Sequence, residues 1–300
     1  TGTFFQNLEV LTGVKVKEPS RLSLAGGAPL ALNDEWIPFG FSRSDNIEGE
    51  LVFAGYGITA KDYCYDDYAG LDVKGKIVLV LRYEPTPKDD KSPFRNLPRY
   101  SSHAALLSKA NNARDHGALG MILVHLHPPR PGEKGLLPTR RTLGHRDAGI
   151  VAAQVRREIV EKRLAEAGVS LSELKESIDR EERPASTPLA GLRASLHVTL
   201  DKITRKTDNV IGILPGSAPQ LKGENIVIGA HYDHIGLGYF GTRDTSAEGQ
   251  IHNGADDNAS GTAVIMNLAE RLTRRPRRPS RTIVFVAFTA EELGTNGSNH

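Results

Sequence analysis

The sequence has 300 residues, room for about two domains of ordinary size, and its 39% hydrophobic and 25% charged residues are typical of a globular chain. The formal net charge of +2 gives no global field that would favour nucleic acid or anionic lipid, so we predict no nucleic-acid partner. The single cysteine, Cys64, excludes an internal disulfide and a cysteine-based zinc site, and no apolar run approaches the ~20 residues of a membrane span.

The first part of the chain is weakly patterned and then becomes rich in strands. In residues 1–47, the run FFQNLEVLTGVKV could pair a short helix with a strand. From residue 48 onwards, GELVFAGYGI and KGKIVLVLRY are β-rich runs bounded by Gly and Asp. The segment HAALLSKANNARDHG is typical of a helix that Gly117 ends, with a buried strand after it. Its inward face is predicted to be Leu106, Leu107, Ala110 and Ala113.

A second predicted helix follows, and after it the sequence pattern changes to that of a linker and a strand. Ser170, with Glu173 three residues later, forms a capping-box pattern that predicts a helix start. Residues 180–191, REERPASTPLAG, have the composition of a linker. The run LRASLHVTL then alternates apolar and polar residues, which predicts a half-buried strand.

The last third of the chain alternates strands with a helix. NVIGILPG, NIVIGAHYD and RTIVFVAFTAEE are continuous apolar runs, as expected for strands covered on both faces. Between the last two we predict a helix over about 258–274, whose inward residues are Val264, Ile265, Leu268 and Leu272. This order predicts an α/β sheet domain.

Three polar clusters follow these elements at comparable places. His231 and Asp233 come at the end of one apolar strand, and Glu291 and Glu292 come at the end of another. The run GADDNASG forms the turn that leads into the helix between them. Ligands of open α/β sheets bind outside the carboxyl ends of the strands, so we expect the three clusters to converge there.

The spacing within two of the clusters suggests roles. His231 and Asp233 are two residues apart and point to the same side of an extended chain, so Asp233 can accept the second ring N–H of a metal-bound His231. Glu291 and Glu292 are adjacent and point apart. One of them can therefore bind metal while the other faces a metal-bound water.

The third cluster places two carboxylates, Asp256 and Asp257, side by side. Like charges repel each other, but if one of the two carboxylates bridges metal ions, the metal would neutralise the repulsion. His, Asp and Glu ligands suit zinc, with cobalt or manganese as possible substitutes.

Taken together, HYDHIG, GADDNASG and AEELG resemble, in this order and spacing, the motifs of the di-zinc aminopeptidases of the bacterial leucyl aminopeptidase and aminopeptidase Y type. That family is related to glutamate carboxypeptidase and the transferrin receptor. FAGYGI, DDYAGLDVKGKIVLVLR and ARDHGALGMILV resemble the protease-associated (PA) domain that is inserted into such peptidases.

The resemblance implies an α/β fold in two parts. One is a peptidase domain with a mixed, largely parallel sheet flanked by helices, and the other is an inserted, β-rich α/β PA-like domain. The predicted bounds are 1–47 for the N-terminal part of the peptidase domain, 48–190 for the PA domain and 191–300 for the zinc peptidase catalytic domain, truncated at its C-terminal end.

The resemblance also assigns roles to residues. It implies that His231 binds the first of two zinc ions, that Asp257 bridges both and that Glu292 binds the second. Glu291 is the implied general base and acid, and Asp233 the residue that orients His231. In this family a cis peptide bond often follows the bridging aspartate.

The resemblance implies a zinc-dependent exopeptidase, in the first place an aminopeptidase that hydrolyses N-terminal residues from peptide or protein substrates through a metal-bridging water. The alternatives are a carboxypeptidase of the same fold and an inactive PA/peptidase-like binding scaffold. The family is mostly secreted or periplasmic, and we expect the same location here.

Two expectations concern the ligands that remain. The family's third ligand for each zinc lies beyond its GS motif, where this sequence stops, so we expect the 300-residue chain alone to bind zinc weakly and to be inactive. His234 and His252 flank the predicted site, and for both of them the sequence leaves open a substrate contact or a place in a loop.

Overall fold

The computed structural model describes residues 3–86, 92–94, 100–126, 135–142, 147–221, 223–239, 242 and 245–300. The chain divides into two compact units. The terminal unit consists of Thr1–Gly13 and Ile203–His300, and the central unit of Val14–Lys202.

The strands are β1 (Phe5–Val16), β2 (Arg21–Leu24), β3 (Trp36–Pro38), β4 (Asp45–Phe53), β5 (Thr59–Ala60), β6 (Tyr65–Asp66), β7 (Ile77–Leu81), β8 (Gly120–Val124), β9 (Val151–Val155), β10 (Thr187–Val198), β11 (Leu200–Leu214), β12 (Asn225–His231) and β13 (Thr282–Phe288). The α-helices are α1 (Leu106–Asp115), α2 (Arg157–Ala165), α3 (Leu171–Glu181) and α4 (Ser260–Thr273). None of the described helices combines the length and apolar character needed to cross a membrane.

The central unit is built on a seven-stranded sheet in the order β2-β10-β4-β7-β8-β9-β3. Strands β4, β7, β8 and β9 run parallel, whereas β10 and β3 join antiparallel to their neighbours. Every residue of β7, β8 and β9 is buried, as continuous apolar strands between two layers should be. Alternate residues serve the two faces, since Leu79 joins one core cluster and Val78 and Val80 join the other.

Both helix predictions for the central unit are confirmed. In α1, Ala110 and Ala113 are fully buried, and Gly117 follows the helix with a φ of 87°. At the start of α3, the Ser170 side chain accepts a hydrogen bond of 3.3 Å from the backbone N–H of Glu173. Local capping chemistry therefore set this helix start as predicted.

Two local predictions are wrong. The run FFQNLEVLTGVKV contains no helix and forms the single strand β1. The predicted linker at 180–191 is largely regular structure, because α3 continues to Glu181 and β10 begins at Thr187. Pro188 is tolerated in β10 where a bulge interrupts the pairing with β4.

The two compact units divide after Gly13 and after Lys202, whereas the predicted domain bounds lie after residues 47 and 190. The cause is strand pairing across those bounds, since β2 pairs with β10, β10 with β4 and β3 with β9. The domain bounds themselves stay a prediction.

The terminal unit contains a four-stranded sheet in the order β1-β11-β13-β12. It is mixed, as predicted: β11 runs antiparallel to β13, and β12 runs parallel to β13. Helix α4 packs on it through Leu268 and Leu272, against a core that includes Ile283 and Phe285.

Burial in the terminal unit corrects two expectations. Val264 is 56% exposed rather than inward, because it lies about 100° around the helix from Ile265, which is buried and in line with Leu268 and Leu272. Coverage on both faces is wrong for β12, where Val227 is 61% exposed. Within the described residues β12 lies at one edge of the sheet, with β13 as its neighbour.

Candidate metal centre

Strand pairing brings two of the predicted clusters to one edge of the sheet. Because β12 and β13 are parallel, their last residues His231 and Phe288 are register partners and both strands end side by side. Glu291 and Glu292 follow three and four residues later. The first turns of α4 hold the end of β12, since the Thr262 hydroxyl donates a 2.9 Å hydrogen bond to the His231 carbonyl oxygen.

The third cluster reaches the same edge through an irregular turn, Ala255–Ala259, at the start of α4. Asp257 and Asn258 have non-helical backbone angles there, and the peptide bond between them is cis, as the resemblance implies. The turn puts a carboxylate oxygen (Oδ1) of Asp257 3.0 Å from Nε2 of His231. The Asn258 side chain accepts a 3.0 Å hydrogen bond from the N–H of Gly261 and so fixes the helix start.

The loop after β13 is held by a buried amide. The Asn209 side chain accepts a 3.0 Å bond from the N–H of Thr289 and donates a 2.8 Å bond to the carbonyl oxygen of Gly297. Within this loop Ala290 has a φ of 52°, a conformation that non-glycine residues seldom adopt. The loop is therefore fixed at both ends, and Glu291 and Glu292 lie between them.

Asp233 bonds chiefly to the backbone of that loop. Its two carboxylate oxygens accept hydrogen bonds from the N–H groups of Glu291, at 3.0 Å, and Glu292, at 3.2 Å. The predicted bond from the ring of His231 goes elsewhere: Nδ1 is 3.1 Å from the carbonyl oxygen of Asp233 and 3.7 Å from its carboxylate. Asp233 thus orients the imidazole through its backbone and the two glutamates through its side chain.

All five predicted site residues come together at this edge. Glu291 places a carboxylate oxygen 3.9 Å from Nε2 of His231, on the same side as Asp257. The His231 side chain is only 11% exposed, whereas that of Asp257 is 69% exposed. A firmly packed imidazole therefore faces accessible carboxylates, which is the arrangement a substrate-accessible ion would need.

His234 is one of the two histidines whose place the sequence left open. Its Nδ1 lies 2.7 Å from a carboxylate oxygen of Glu292, and the ligand atoms of His234, Asp257 and Glu292 lie within 4.8 Å of one another. The sequence signal is the second histidine of HYDH, three residues after His231. His252 differs, because its Nε2 is 3.3 Å from the carbonyl oxygen of Ala247.

These donors fit a zinc-type cation. Carboxylates of Asp257, Glu291 and Glu292 surround two imidazoles, and a cation would offset the repulsion among the acids. The ligand atoms of His234, Asp257 and Glu292 lie within 4.8 Å of one another. Donors of one tetrahedral zinc lie about 3.4 Å apart, so the widest of these separations would have to close by up to about 1.4 Å. Asp257 faces both His231 and the Glu292 group, as a shared ligand must.

A cavity of about 290 Å³ opens beside these donors. Asp233, His234 and Glu292 form part of its wall, and Ile235 and Leu293 contribute apolar surface.

The fold and the donor set define an α/β unit with the donors of a metal centre, in a chain that also contains a unit built on a seven-stranded sheet. Comparison with known families confirms the resemblance: residues 209–300 match Peptidase family M28, and residues 47–162 match the PA domain.

Individual relatives agree with these matches. The chain is 26% identical over 282 residues to aminopeptidase YwaD of Bacillus subtilis (strain 168), covering 87% of this chain and 47% of that protein. It is 24% identical over 319 residues to a glutamate carboxypeptidase 2 homolog of Caenorhabditis elegans, covering 91% and 38%. The chain thus spans less than half the length of either curated relative.

Solved structures are also similar. An aminopeptidase from Aneurinibacillus sp. strain AM-1 is 22% identical with a TM-score of 0.45, and the alignment covers 98% of this chain and 54% of that one. BSAP, a zinc aminopeptidase from Bacillus subtilis, is 21% identical with a TM-score of 0.41, covering 99% and 53%.

Proposed function

We propose that this chain carries the metal-holding edge of a zinc-dependent exopeptidase that removes N-terminal residues from peptides. The observation that carries the proposal is the position of Asp257, whose carboxylate faces His231 at 3.0 Å and also belongs to the Glu292 donor group. A shared carboxylate suits two ions, so we propose two zinc ions, with cobalt or manganese as substitutes.

In the proposed reaction each residue has a defined task. His231 and Asp257 would hold the first ion, and Asp257 and Glu292 would hold the second. The chemistry that zinc would supply there is a lowered pKa of a water and polarisation of the scissile carbonyl. Glu291 accepts the proton of the attacking water and then donates it to the leaving amine, as a general base and acid. Asp233 keeps both glutamates aimed by binding their backbone N–H groups.

The test uses the full-length protein. A peptide with a free N-terminus and the same peptide N-acetylated are incubated with the protein, with and without a zinc chelator, and the released residues are identified by mass. Release from the free N-terminus alone, abolished by chelator, supports the aminopeptidase. Release of C-terminal residues from both peptides would overturn the aminopeptidase proposal in favour of a carboxypeptidase. If neither peptide releases a residue, the result would favour an inactive scaffold.

The role of Glu291 gives a sharper prediction. Glu291→Gln keeps the shape of the side chain but removes its basicity, so turnover should fall by about 10²-fold or more. Zinc content, measured by mass spectrometry of the metal, should stay unchanged because the residue is not proposed as a ligand. Turnover close to that of the unmodified protein would show that the base lies elsewhere.

The substrate partner proposed here is a peptide or protein with a free amino terminus. A secreted or periplasmic location stays a prediction, which fractionation of the native organism would check.

A further inference from the structure

The end of α4 and the loop that joins it to β13 carry a cluster of exposed arginines. The cluster, called the arginine patch below, consists of Arg271, Arg274, Arg275, Arg277, Arg278 and Arg281. We propose that the arginine patch docks the protein on an anionic lipid bilayer by binding the phosphate groups of the lipids. The proposal concerns a surface away from the metal centre and does not rest on the proposed function.

The positive charge of the patch is largely uncompensated. Two of its arginines form ion pairs, Arg274 with Glu270 at 2.7 Å and Arg281 with Glu224 at 2.6 Å. Within the part of the chain that the structure describes, the other four side chains form neither an ion pair nor a hydrogen bond. Their guanidinium groups can therefore bind an external anion, and their planar forks match the oxygens of a phosphate.

The helix macrodipole accounts for only part of the patch. Cations in the last turn of a helix are stabilised by its unpaired carbonyl groups, and Arg271 lies in the last turn of α4. This effect falls off within the turn, whereas Arg277 and Arg278 lie beyond the end of the helix at Thr273. The dipole gives no reason for two adjacent arginines in the loop, and binding of an external anion does.

The loop that presents the arginines is fixed to the turn after β11. The N–H of Ser217 donates a 2.9 Å hydrogen bond to the carbonyl oxygen of Pro279, and the Ser217 hydroxyl donates a 3.1 Å bond to the same oxygen. A Cβ at Gly216 would lie 2.5 Å from the carbonyl oxygen of Ser280, so the two segments approach more closely than a side chain would allow. Pro276 further restricts the backbone. Because the loop is held in place, less conformational freedom is lost on binding.

The composition of the patch favours a bilayer over nucleic acid. Single-stranded nucleic acids are bound by aromatic side chains on which the bases stack, and residues 260–281 contain no aromatic residue. The major groove of DNA admits a helix or a pair of strands, whereas these arginines lie at a helix end and in a loop. Clusters of about four to eight Lys or Arg residues are typical of binding to anionic lipid headgroups. The net charge of +2 does not oppose this, because a membrane surface acts only on charges within about a Debye length.

The patch lies at the end of the sheet opposite to the metal centre. It precedes Thr282, the first residue of β13, whereas Glu291 and Glu292 follow Phe288, the last residue of that strand. The extended strand between them spans roughly 20 Å. Docking through the arginine patch therefore leaves the metal donors facing away from the bilayer.

The experiment measures binding of the full-length protein to lipid vesicles by co-sedimentation. One kind of vesicle is pure phosphatidylcholine, and the other contains about 30% phosphatidylglycerol, an anionic lipid. The patch variant combines Arg275→Gln, Arg277→Gln and Arg278→Gln, which removes three cations that have no partner among the described residues. The single variant Arg277→Gln tests the patch with the smallest change to the loop.

A matched control removes the same net charge from another surface. It combines Arg21→Gln, Arg180→Gln and Arg183→Gln, which are exposed arginines of the central unit. Circular dichroism melts establish that each variant is folded.

We expect the unmodified protein to bind the phosphatidylglycerol vesicles and not the phosphatidylcholine vesicles, with an affinity that falls as salt is added. The affinity should fall by about 100-fold in the patch variant and by about 5-fold in Arg277→Gln, since each arginine near an anionic surface contributes separately. The control variant should bind like the unmodified protein. A zinc chelator should leave vesicle binding unchanged, because the patch contains none of the metal donors.

Three results would overturn the inference. Equal losses in the patch variant and its control would show that net charge explains the binding. Equal binding to both kinds of vesicle would show that anionic headgroups are not recognised. Binding of a fluorescent DNA duplex without binding of vesicles, lost in the patch variant, would assign the patch to nucleic acid instead. Each of these results leaves the proposed function standing, since release of residues from peptides is measured separately.

Discussion

At the scale of single residues, the side chain of Asp233 links both glutamates of the candidate centre. It accepts the N–H groups of Glu291 and Glu292, one on each carboxylate oxygen. Asp233→Asn replaces one acceptor by an NH₂ group that faces a backbone donor. The loop after β13 that carries Glu291 and Glu292, called the glutamate loop below, should therefore lose its alignment. We expect zinc affinity to fall by about 10- to 100-fold, as measured by competition titration.

The control for this prediction is Asp256→Asn. Asp256 is an exposed acid in the turn beside Asp257, and its contact with Ser260 runs through its backbone oxygen. The Asp256→Asn substitution removes the same charge near the centre and leaves the two backbone hydrogen bonds of the glutamate loop unchanged. Equal losses of affinity in both variants would show that net charge, rather than the two backbone bonds, explains the effect of Asp233.

A second residue-scale feature lies in the central unit, where Asp67 is fully buried. It accepts 3.0 Å bonds from the N–H groups of Tyr56 and Ile58 and a 2.7 Å bond from the Tyr65 hydroxyl. Burial raises the pKa of Asp67 to about 7, although these hydrogen bonds and the nearby Lys109 ammonium favour the ionised form. Burial lowers the pKa of Lys109 to about 7 as well. Their pKa values therefore move towards each other.

The raised pKa predicts a pH dependence with a definite sign. The native state holds the Asp67 proton between its ordinary pKa of 3.8 and about 7, whereas the unfolded state releases it. The stability from this group is therefore complete below about pH 4 and is lost as pH rises towards 7. Urea unfolding should show the advantage of the unmodified chain over Asp67→Asn shrinking from pH 5 to pH 7, by up to about 1 kcal/mol per pH unit.

Asp72→Asn is the control for Asp67, since Asp72 is exposed and its pKa is lowered by hydrogen bonds to Lys76 and to the Lys74 N–H. Its contribution is lost only as pH falls through that lowered pKa, so the difference from the unmodified chain should be flat between pH 5 and pH 7. A similarly flat difference for Asp67→Asn would mean that the buried carboxyl does not titrate in this window.

At the scale of elements, the start of α3 offers a matched pair of serines. Ser170 caps the helix through its bond to the Glu173 N–H, and Leu171 and Ile178 bury the face behind it. Ser170→Ala should lower the free energy of unfolding of the central unit by about 1 kcal/mol. Ser177→Ala, the same change inside the helix, should have no cost or a slight gain, because alanine favours helix. Thermal melts compare the two, and equal costs would contradict the capping role.

Elements were predictable from the sequence where one local rule dominates. The cap at Ser170 and the glycine after α1 act within one turn, and the apolar runs of β7, β8 and β13 mark buried strands. Prediction from the sequence failed where pairing between strands far apart in the sequence determines the structure. β1 is a strand because it pairs with β11, about 200 residues away, and no local pattern in FFQNLEVLTGVKV carries that information.

At the scale of the whole molecule, the sequence predicted which clusters meet but not all of their contacts. Parallel pairing of β12 with β13 follows from the apolar strands, so the convergence of His231 and Glu291 was foreseeable. The contact of His234 with Glu292 was not, because it depends on the path of the loop after β12 and on the space left by Gly254. Loop paths of this kind are set by tertiary packing.

The distribution of the donors predicts where zinc stabilises the molecule. His231, Asp257 and Glu292 all belong to the terminal unit. Hydrogen exchange with added zinc should therefore slow at the end of β12, in the turn Ala255–Ala259 and in the loop after β13, because binding stabilises the native state against local opening. Amides of the seven-stranded sheet should exchange at unchanged rates. Chelator should reverse the effect, and magnesium should not reproduce it, since magnesium prefers octahedral oxygen ligands.

The variant Asp257→Asn should abolish protection in all three segments together, because the Asp257 carboxylate is the shared donor. Protection that survives in the glutamate loop of that variant would show that the two ions bind independently, without a bridging carboxylate.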